Sequence, residues 1–266
     1  MLANYHTHTT HCDGKNTPEE VVLAAIEKGF DILGFSGHAI TGFDKRYCMR
    51  DLTPYRLEIL QLKEKYKDQI KIYLGIEEDM YQRVRREEYE YIIGSCHYIY
   101  KDGVYYSVDS GIDFQERCLA AFDGDPLKMA EAYYTDFCEY LHSRKPDIVG
   151  HFDLLTKFCE VGGIDFLADP AYMALAKKYL TYAMQTGCVF EVNMGAMARG
   201  VRTYPYPCRE LLHMLCKENI RVILSSDSHS IDTLDYSFHE AEELLREIGF
   251  KNRYVFDEGE FRPVKL

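Results

Sequence analysis

Histidine and carboxylate positions are the first feature of this chain that could do chemistry. His6 and His8 are two residues apart, a spacing that in extended backbone points both imidazoles to one side. Asp227 and His229 repeat that spacing, and His38, His97 and His151 each stand in or just beyond a short apolar run. Glu77 closes another such run and Asp13 lies in the first loop. Imidazole with carboxylate is the donor set of zinc, iron or manganese. Such ions make a nucleophile from water near neutral pH and clamp attacking and leaving oxygens, which suits hydrolytic chemistry. One H-x-H pair carries little weight, and a lone His97, Glu77 or Asp13 reads as an ordinary rim or capping residue. The whole set carries more weight. His11, in the first loop, and His142, His213 and His239, in helical stretches, read as ordinary residues, and Glu78 and Asp79 as solvated or supporting neighbours of Glu77.

The elements that must position this set alternate. Strands are expected at 3–8, 31–37, 70–76, 91–99, 147–152, 188–194 and 221–226. Helices fall between them: one opened by Thr17-Pro18-Glu19-Glu20 and closed by Gly29, then 53–67, 113–143 with a break at Gly124-Asp125-Pro126, 170–186, 207–219 and 237–247. A final apolar run, Tyr254 to Phe256, precedes the tail. Seven strands alternating with helices imply parallel pairing and a (β/α) barrel with seven strands rather than eight, in one domain spanning 1–266. In parallel barrels functional groups gather at the C-terminal strand ends, so the histidines, distant in sequence, converge on one rim.

Composition narrows the partner. The chain carries 43 acidic and 31 basic residues, a net charge of −12, without the basic face that phosphate-backbone binding requires. A small molecule is expected rather than nucleic acid. No run is long enough to span a bilayer and the N-terminus has no signal-peptide pattern, so a cytoplasmic protein is expected. The nine cysteines are odd in number and form no C-x-x-C, which points to reduced thiols. One C-x5-R spacing, Cys138 to Arg144, lacks a glycine cradle and falls in a helix, so it does not read as a phosphatase nucleophile.

The motifs H-T-H at 6–8, D-G at 13–14, S-G-H at 36–38, G-I-E at 75–77, G-S-C-H at 94–97, G-H-F-D at 150–153 and S-D-S-H at 226–229 together resemble the PHP (polymerase and histidinol phosphatase) metallohydrolases, in the family's order. The resemblance implies a distorted (β/α)7 barrel of the PHP type, a TIM-like barrel with a trinuclear metal centre. Two to three divalent ions (Zn, Fe or Mn) are implied: one held by His6, His8, Glu77 and Asp227, a second by Glu77, His97 and His151, a third by Asp13, His38 and His229. Within the family the chain is most similar to the monofunctional bacterial histidinol-phosphatases. That likeness rests on E-V-N at 191–193 with Gly195, Arg199 and Tyr204-Pro205, and on the insert carrying Tyr133 and Tyr134. It implies hydrolysis of L-histidinol phosphate in histidine biosynthesis, an amino-acid biosynthetic step, by metal-bound hydroxide. Asp227 and His229 are the candidates for proton transfer. Arg199 is expected to clamp the phosphate, because a planar guanidinium fork binds two of its oxygens, with Arg202 and Asn193 as further substrate contacts. Other readings are a PHP phosphoesterase for another small phosphomonoester or for protein phosphotyrosine, a PHP exonuclease that the acidity disfavours, an eight-stranded urease-like amidohydrolase, and a non-catalytic metal module.

Overall fold

A computed structural model describes residues 1–266. In its first half the elements run β1 (Ala3–Asn4), α1 (Pro18–Glu27), β2 (Ile32–Phe35), α2 (Leu52–Lys65), β3 (Lys71–Asp79), β4 (Tyr91–Ser95), β5 (Tyr98–Lys101), β6 (Val104–Ser107), α3 (Ile112–Ala121) and α4 (Pro126–Arg144). The second half adds β7 (Ile148–Val149), α5 (Pro170–Met184), β8 (Val189–Asn193), α6 (Gly195–Ala198), α7 (Arg209–Lys217), β9 (Val222–Ser225), α8 (Phe238–Ile248), β10 (Asn252–Asp257) and β11 (Glu260–Lys265). Local chemistry starts the helices where expected. Thr17 and Glu20 form a reciprocal capping box on α1, and the Asp125 side chain accepts from Leu127 and Lys128 N–H at the head of α4.

The main sheet runs β1-β2-β3-β4-β7-β8-β9-β10-β11. Pairing is parallel from β1 through β10, and only β11 is antiparallel to its neighbour. The first and seventh of the expected strands meet beyond their regular ends, in a parallel bridge between Thr7 and Ser228. His8 N–H donates to Ser228 O at 2.8 Å and Ser228 N–H to His6 O at 3.1 Å. The outer face packs on the helices through a core of 58 buried residues.

Strand alternation sorts the inner face into two layers. Tyr73 and Glu77 share a face of β3; Tyr91, Ile93 and Ser95 share one of β4; Val189, Glu191 and Asn193 share one of β8. The early members of these rows join Ala3, Tyr5, Ile32, Ile148 and Ile223 in an apolar cluster of 11 residues, and the later members are polar. The apolar layer is completed by β10, whose Val255 and Phe256 belong to that cluster.

Three expectations need correction. The strand expected over 91–99 stops at Ser95, and 98–107 instead forms a separate antiparallel hairpin, β5–β6. His97 therefore stands in the break after β4 rather than inside a strand. The run at 254–256 is one arm of a hairpin that adds two strands to the seven expected. Finally, regular pairing of β1 ends at Asn4. Simple alternation from Ala3 and Tyr5 would turn His6 and His8 outward; the departure from regular strand after Asn4 lets both face the centre.

Candidate metal centre

Nine side chains named from the sequence meet at the C-terminal rim. Glu77, 1% exposed at the end of β3, is the hub. Its Oε1 lies 3.3 Å from His97 Nε2 and 3.1 Å from His151 Nε2. Its Oε2 lies 3.3 Å from His6 Nε2, 3.7 Å from His8 Nε2 and 2.7 Å from His38 Nδ1. Asp227 Oδ1 is 3.2 Å from His8 Nε2 and 3.7 Å from His6 Nε2. Asp13 reaches His229 Nε2 at 3.3 Å, His8 Nδ1 at 3.6 Å and His38 Nε2 at 3.7 Å.

Backbone shape makes this convergence possible. Asp227 adopts φ 48°, the left-handed region that an L-residue occupies at a cost of about 1 kcal/mol, in the turn that carries its carboxylate to the centre. Gly14 sits so close to the end of the first strand that a Cβ there would fall 2.4 Å from Thr9 N, which explains the glycine after Asp13. At Gly195 a Cβ would lie 2.5 Å from Asp227 Oδ2 and 2.8 Å from the Arg199 guanidinium.

Supporting groups fix the rings. Glu191, buried on β8, accepts from His6 Nδ1 at 2.9 Å, from His151 N–H at 2.7 Å and from Asn193 Nδ2 at 2.8 Å. The first bond leaves His6 Nε2 as the atom turned toward Glu77. Asp79 lies 3.3 Å from His97 Nδ1 and does the same for that ring, while Ser95 Oγ donates to Glu77 Oε1 at 2.7 Å. His229 Nδ1 is 3.0 Å from Asp227 O.

The electrostatics suit a cation. Burial alone would raise the Glu77 carboxyl, but His38, His6 and His97 hold it well below the ordinary carboxylate range. Asp227 is also held well below, since Arg199 and His6 outweigh its burial. Burial, with His229 and His38 beside it, pushes His8 down to about 3, so this imidazole is neutral with its lone pair available. The Nε2 atoms of His6 and His8 and Oε2 of Glu77 are buried without a hydrogen bond, and these three residues offer ligand atoms within 4.8 Å of one another. Unsatisfied buried acceptors facing one point are costly, and a divalent cation relieves them. Two further groups meet the same test: His8, Asp13, His38 and His229, and His38, Glu77 and His97. The donors are shared rather than divided into separate sets.

An open cavity of about 350 Å³ lies over the centre. Arg199 lines it, with its NH2 3.0 Å from Asp227 Oδ2 and its NH1 3.3 Å from Asp227 O. Arg202 does not. It is 4% exposed, stacked 4.5 Å from the Tyr206 ring and bonded to Thr156 Oγ1, so it braces the loops below the rim. Asn193 is fully buried between Glu191 and Gly195 N–H and likewise does not line this cavity. Tyr133 and Tyr134 are core residues of α4, and Tyr204 is exposed outside the cavity. Cys138 is buried in that helix and Arg144 is paired with Glu78, so the C-x5-R spacing builds no anion cradle. All nine cysteines are unpaired. The sequence singled out Glu191 only within the E-V-N likeness, not as the group that orients His6 and His151, although a single carboxylate inside the apolar run CVFEVNM was a signal for it; Asp109 and Lys157 of the cavity wall were not singled out.

A curled parallel sheet with imidazoles and carboxylates on its C-terminal rim defines an α/β barrel carrying a histidine–carboxylate centre. Residues 4–195 match the PHP domain, and the chain belongs to that family. Asp227 and His229 lie beyond the matched stretch and are joined to it by the Thr7–Ser228 bridge. A protein of Schizosaccharomyces pombe named "Probable histidinol-phosphatase" is 25% identical, over 97% of this chain and 90% of its own length. A protein of Deinococcus radiodurans with the same name is 26% identical, over 93% of this chain and 94% of its own. The structure of histidinol phosphate phosphatase from Lactococcus lactis, complexed with zinc, L-histidinol and phosphate, aligns with a TM-score of 0.71 at 20% identity, covering 98% of each chain.

Proposed function

We propose that this chain is a metal-dependent phosphatase of histidine biosynthesis, hydrolysing L-histidinol phosphate to L-histidinol and phosphate, and that residues 1–266 act as one unit. The observation that carries it is the presence, in one cavity, of the histidine–carboxylate centre and the Arg199 guanidinium. The names of relatives matched over nearly their whole length supply the substrate. His6, His8, Asp13, His38, Glu77, His97, His151, Asp227 and His229 would hold two to three zinc, iron or manganese ions, with Glu77 the carboxylate nearest to most of the imidazoles. When bound, such ions supply a nucleophile from water near neutral pH and neutralise charge on the transferred group. Arg199 neutralises a phosphoryl oxygen and holds Asp227 in place. Asp227 and His229 both line the cavity beside Arg199 and are the two candidates for carrying the proton from attacking water to the departing oxygen.

The test is steady-state hydrolysis of L-histidinol phosphate beside a panel of phosphomonoesters and a phosphotyrosine peptide. Histidinol phosphate is expected to show the highest kcat/KM, and a clear preference for another member would replace the substrate. In oxygen-18 water a single turnover should place one label in phosphate; a trapped phosphoprotein would refute direct attack by water.

A further inference from the structure

Besides Arg199 and Asp227, the cavity is lined by a second pair of opposite charges, Asp109 and Lys157. Asp109 follows β6 in a turn tied down at three points. Val108 N–H donates to His97 O at 3.0 Å, Ser110 N–H to Ser107 Oγ at 3.1 Å, and Ser107 Oγ bonds Ser110 Oγ at 2.6 Å. Lys157 arrives from the turn after β7 and donates to Asp109 O at 2.9 Å and Oδ2 at 3.1 Å. Both side chains are sheltered, Lys157 at 14% and Asp109 at 21% exposure, and the lysine's hydrogen bonds both go to Asp109.

We infer that this pair matches a substrate bearing a phosphate and an ammonium on neighbouring carbons: Lys157 turns to a phosphoryl oxygen and the Asp109 carboxylate takes the ammonium. The inference rests on the phosphatase reading above and adds the basis of its selectivity. Without substrate the two charges satisfy each other, so neither is left bare in a sheltered wall. A phosphate alone would draw Lys157 away and leave the carboxylate unpaired beside an incoming dianion. A substrate with its own ammonium replaces each partner by a like charge, and the exchange leaves nothing unpaired. L-Histidinol phosphate has this layout, with its amine on the carbon next to the ester carbon. Arg199 and the metal centre meet only the phosphate, so discrimination between aminated and plain alcohols falls to Asp109.

The test compares kcat/KM within two matched pairs: L-histidinol phosphate against imidazolylpropyl phosphate, which lacks the amine, and phosphoethanolamine against ethyl phosphate. The unaltered enzyme should favour the aminated member by about 10- to 100-fold, the worth of one charge-assisted hydrogen bond. Asp109→Asn should bring that ratio close to one, chiefly through KM, and Asp109→Glu should restore part of it, with metal content equal in all three. Lys157→Met should lower turnover of both members and keep the amine preference. An equal loss on both members in Asp109→Asn, with the ratio intact, overturns the inference. If histidinol phosphate is hydrolysed no better than its amine-free counterpart, the substrate reading survives and the Asp109 role falls. If histidinol phosphate is not hydrolysed but phosphoethanolamine is preferred to ethyl phosphate, the substrate reading falls and the Asp109 role survives.

Discussion

Glu191 shows how one side chain can govern a centre it does not enter. It accepts from His6 Nδ1 and from the His151 backbone, so its loss would free one ring to rotate and release the turn that carries another. Glu191→Ala should weaken metal binding about 10- to 100-fold, the usual effect of removing a group that orients a ligand. Chelator competition measures it; affinity equal to the unaltered protein would show that packing alone orients His6. In the proposed role, Arg199 acts on the other side, against substrate. Removing a charge-assisted contact to phosphate should cost about 2–4 kcal/mol of transition-state stabilisation, so Arg199→Ala should lose about 100- to 1000-fold in kcat/KM, with bound metal retained. Lysine at this position should recover only part, because a point charge lacks the planar fork. Undiminished kcat/KM would move the phosphate clamp elsewhere, with Lys157 next in line. The nine converging side chains were legible in the sequence because all but Asp13, which lies in the first loop, stand at or just beyond strand ends, and these share one rim in a parallel barrel. Arg202 and Asn193 were placed in the cavity by proximity along the chain to Arg199. The loop after β8 folds Arg202 back onto Tyr206, and strand alternation turns Asn193 toward Glu191, so neither reaches it.

The elements divide the labour between the two layers of the sheet. The C-terminal hairpin serves the apolar layer: Phe256 is 3% exposed and its ring packs 5.3 Å from Tyr73, 5.6 Å from Tyr91 and 6.4 Å from Tyr5. Tyr5 OH also donates to Phe256 O at 2.7 Å. Phe256→Ala should cost about 3–5 kcal/mol of folding stability, the range for a buried aromatic. Urea unfolding measures it, and metal stoichiometry should stay unchanged because the ring belongs to the apolar layer. A loss below about 1 kcal/mol would show that β10 only lies against the barrel. The hairpin was half legible. Its apolar run was visible, but Pro263 and the charges of β11 disguised an edge strand, which tolerates both. The break at His97 was invisible to periodicity, because the strand before it and the hairpin after it are both rich in tyrosine and isoleucine. The turn that places Asp109 in the cavity wall depends on that hairpin, which is why Asp109 did not stand out in the sequence.

At the scale of the whole molecule, the centre ties together segments from both ends of the chain, and its protonation therefore bears on overall stability. Burial pushes His6 down, but Glu191, Glu77 and Asp227 outweigh it and raise its pKa well above 6.5 when no ion is bound. His97 and His38 are raised in the same way, with Glu77 the leading cause after burial. A raised imidazole contributes stability that is fully present below its unfolded pKa and is lost as pH rises through the folded value. The depressed carboxylates of Glu77 and Asp227 work in the opposite direction, contributing above their unfolded values and losing that contribution as pH falls. Metal-free protein is therefore best stabilised by this cluster in a mildly acidic window, above the unfolded carboxylate values and below 6.5. A bound divalent ion displaces the imidazole protons and takes over their role. The advantage of metal-loaded over chelated protein should then grow with pH by about 1.4 kcal/mol per unit for each proton displaced. For a chain of this size that corresponds to roughly 3–5 °C in Tm per pH unit and proton. Thermal melts with zinc and with chelator, run at about pH 6, 7 and 8, measure the gap. A gap that stays constant or narrows across that range would mean that the imidazoles are already neutral before metal binds, and that the carboxylates do not hold protons on them.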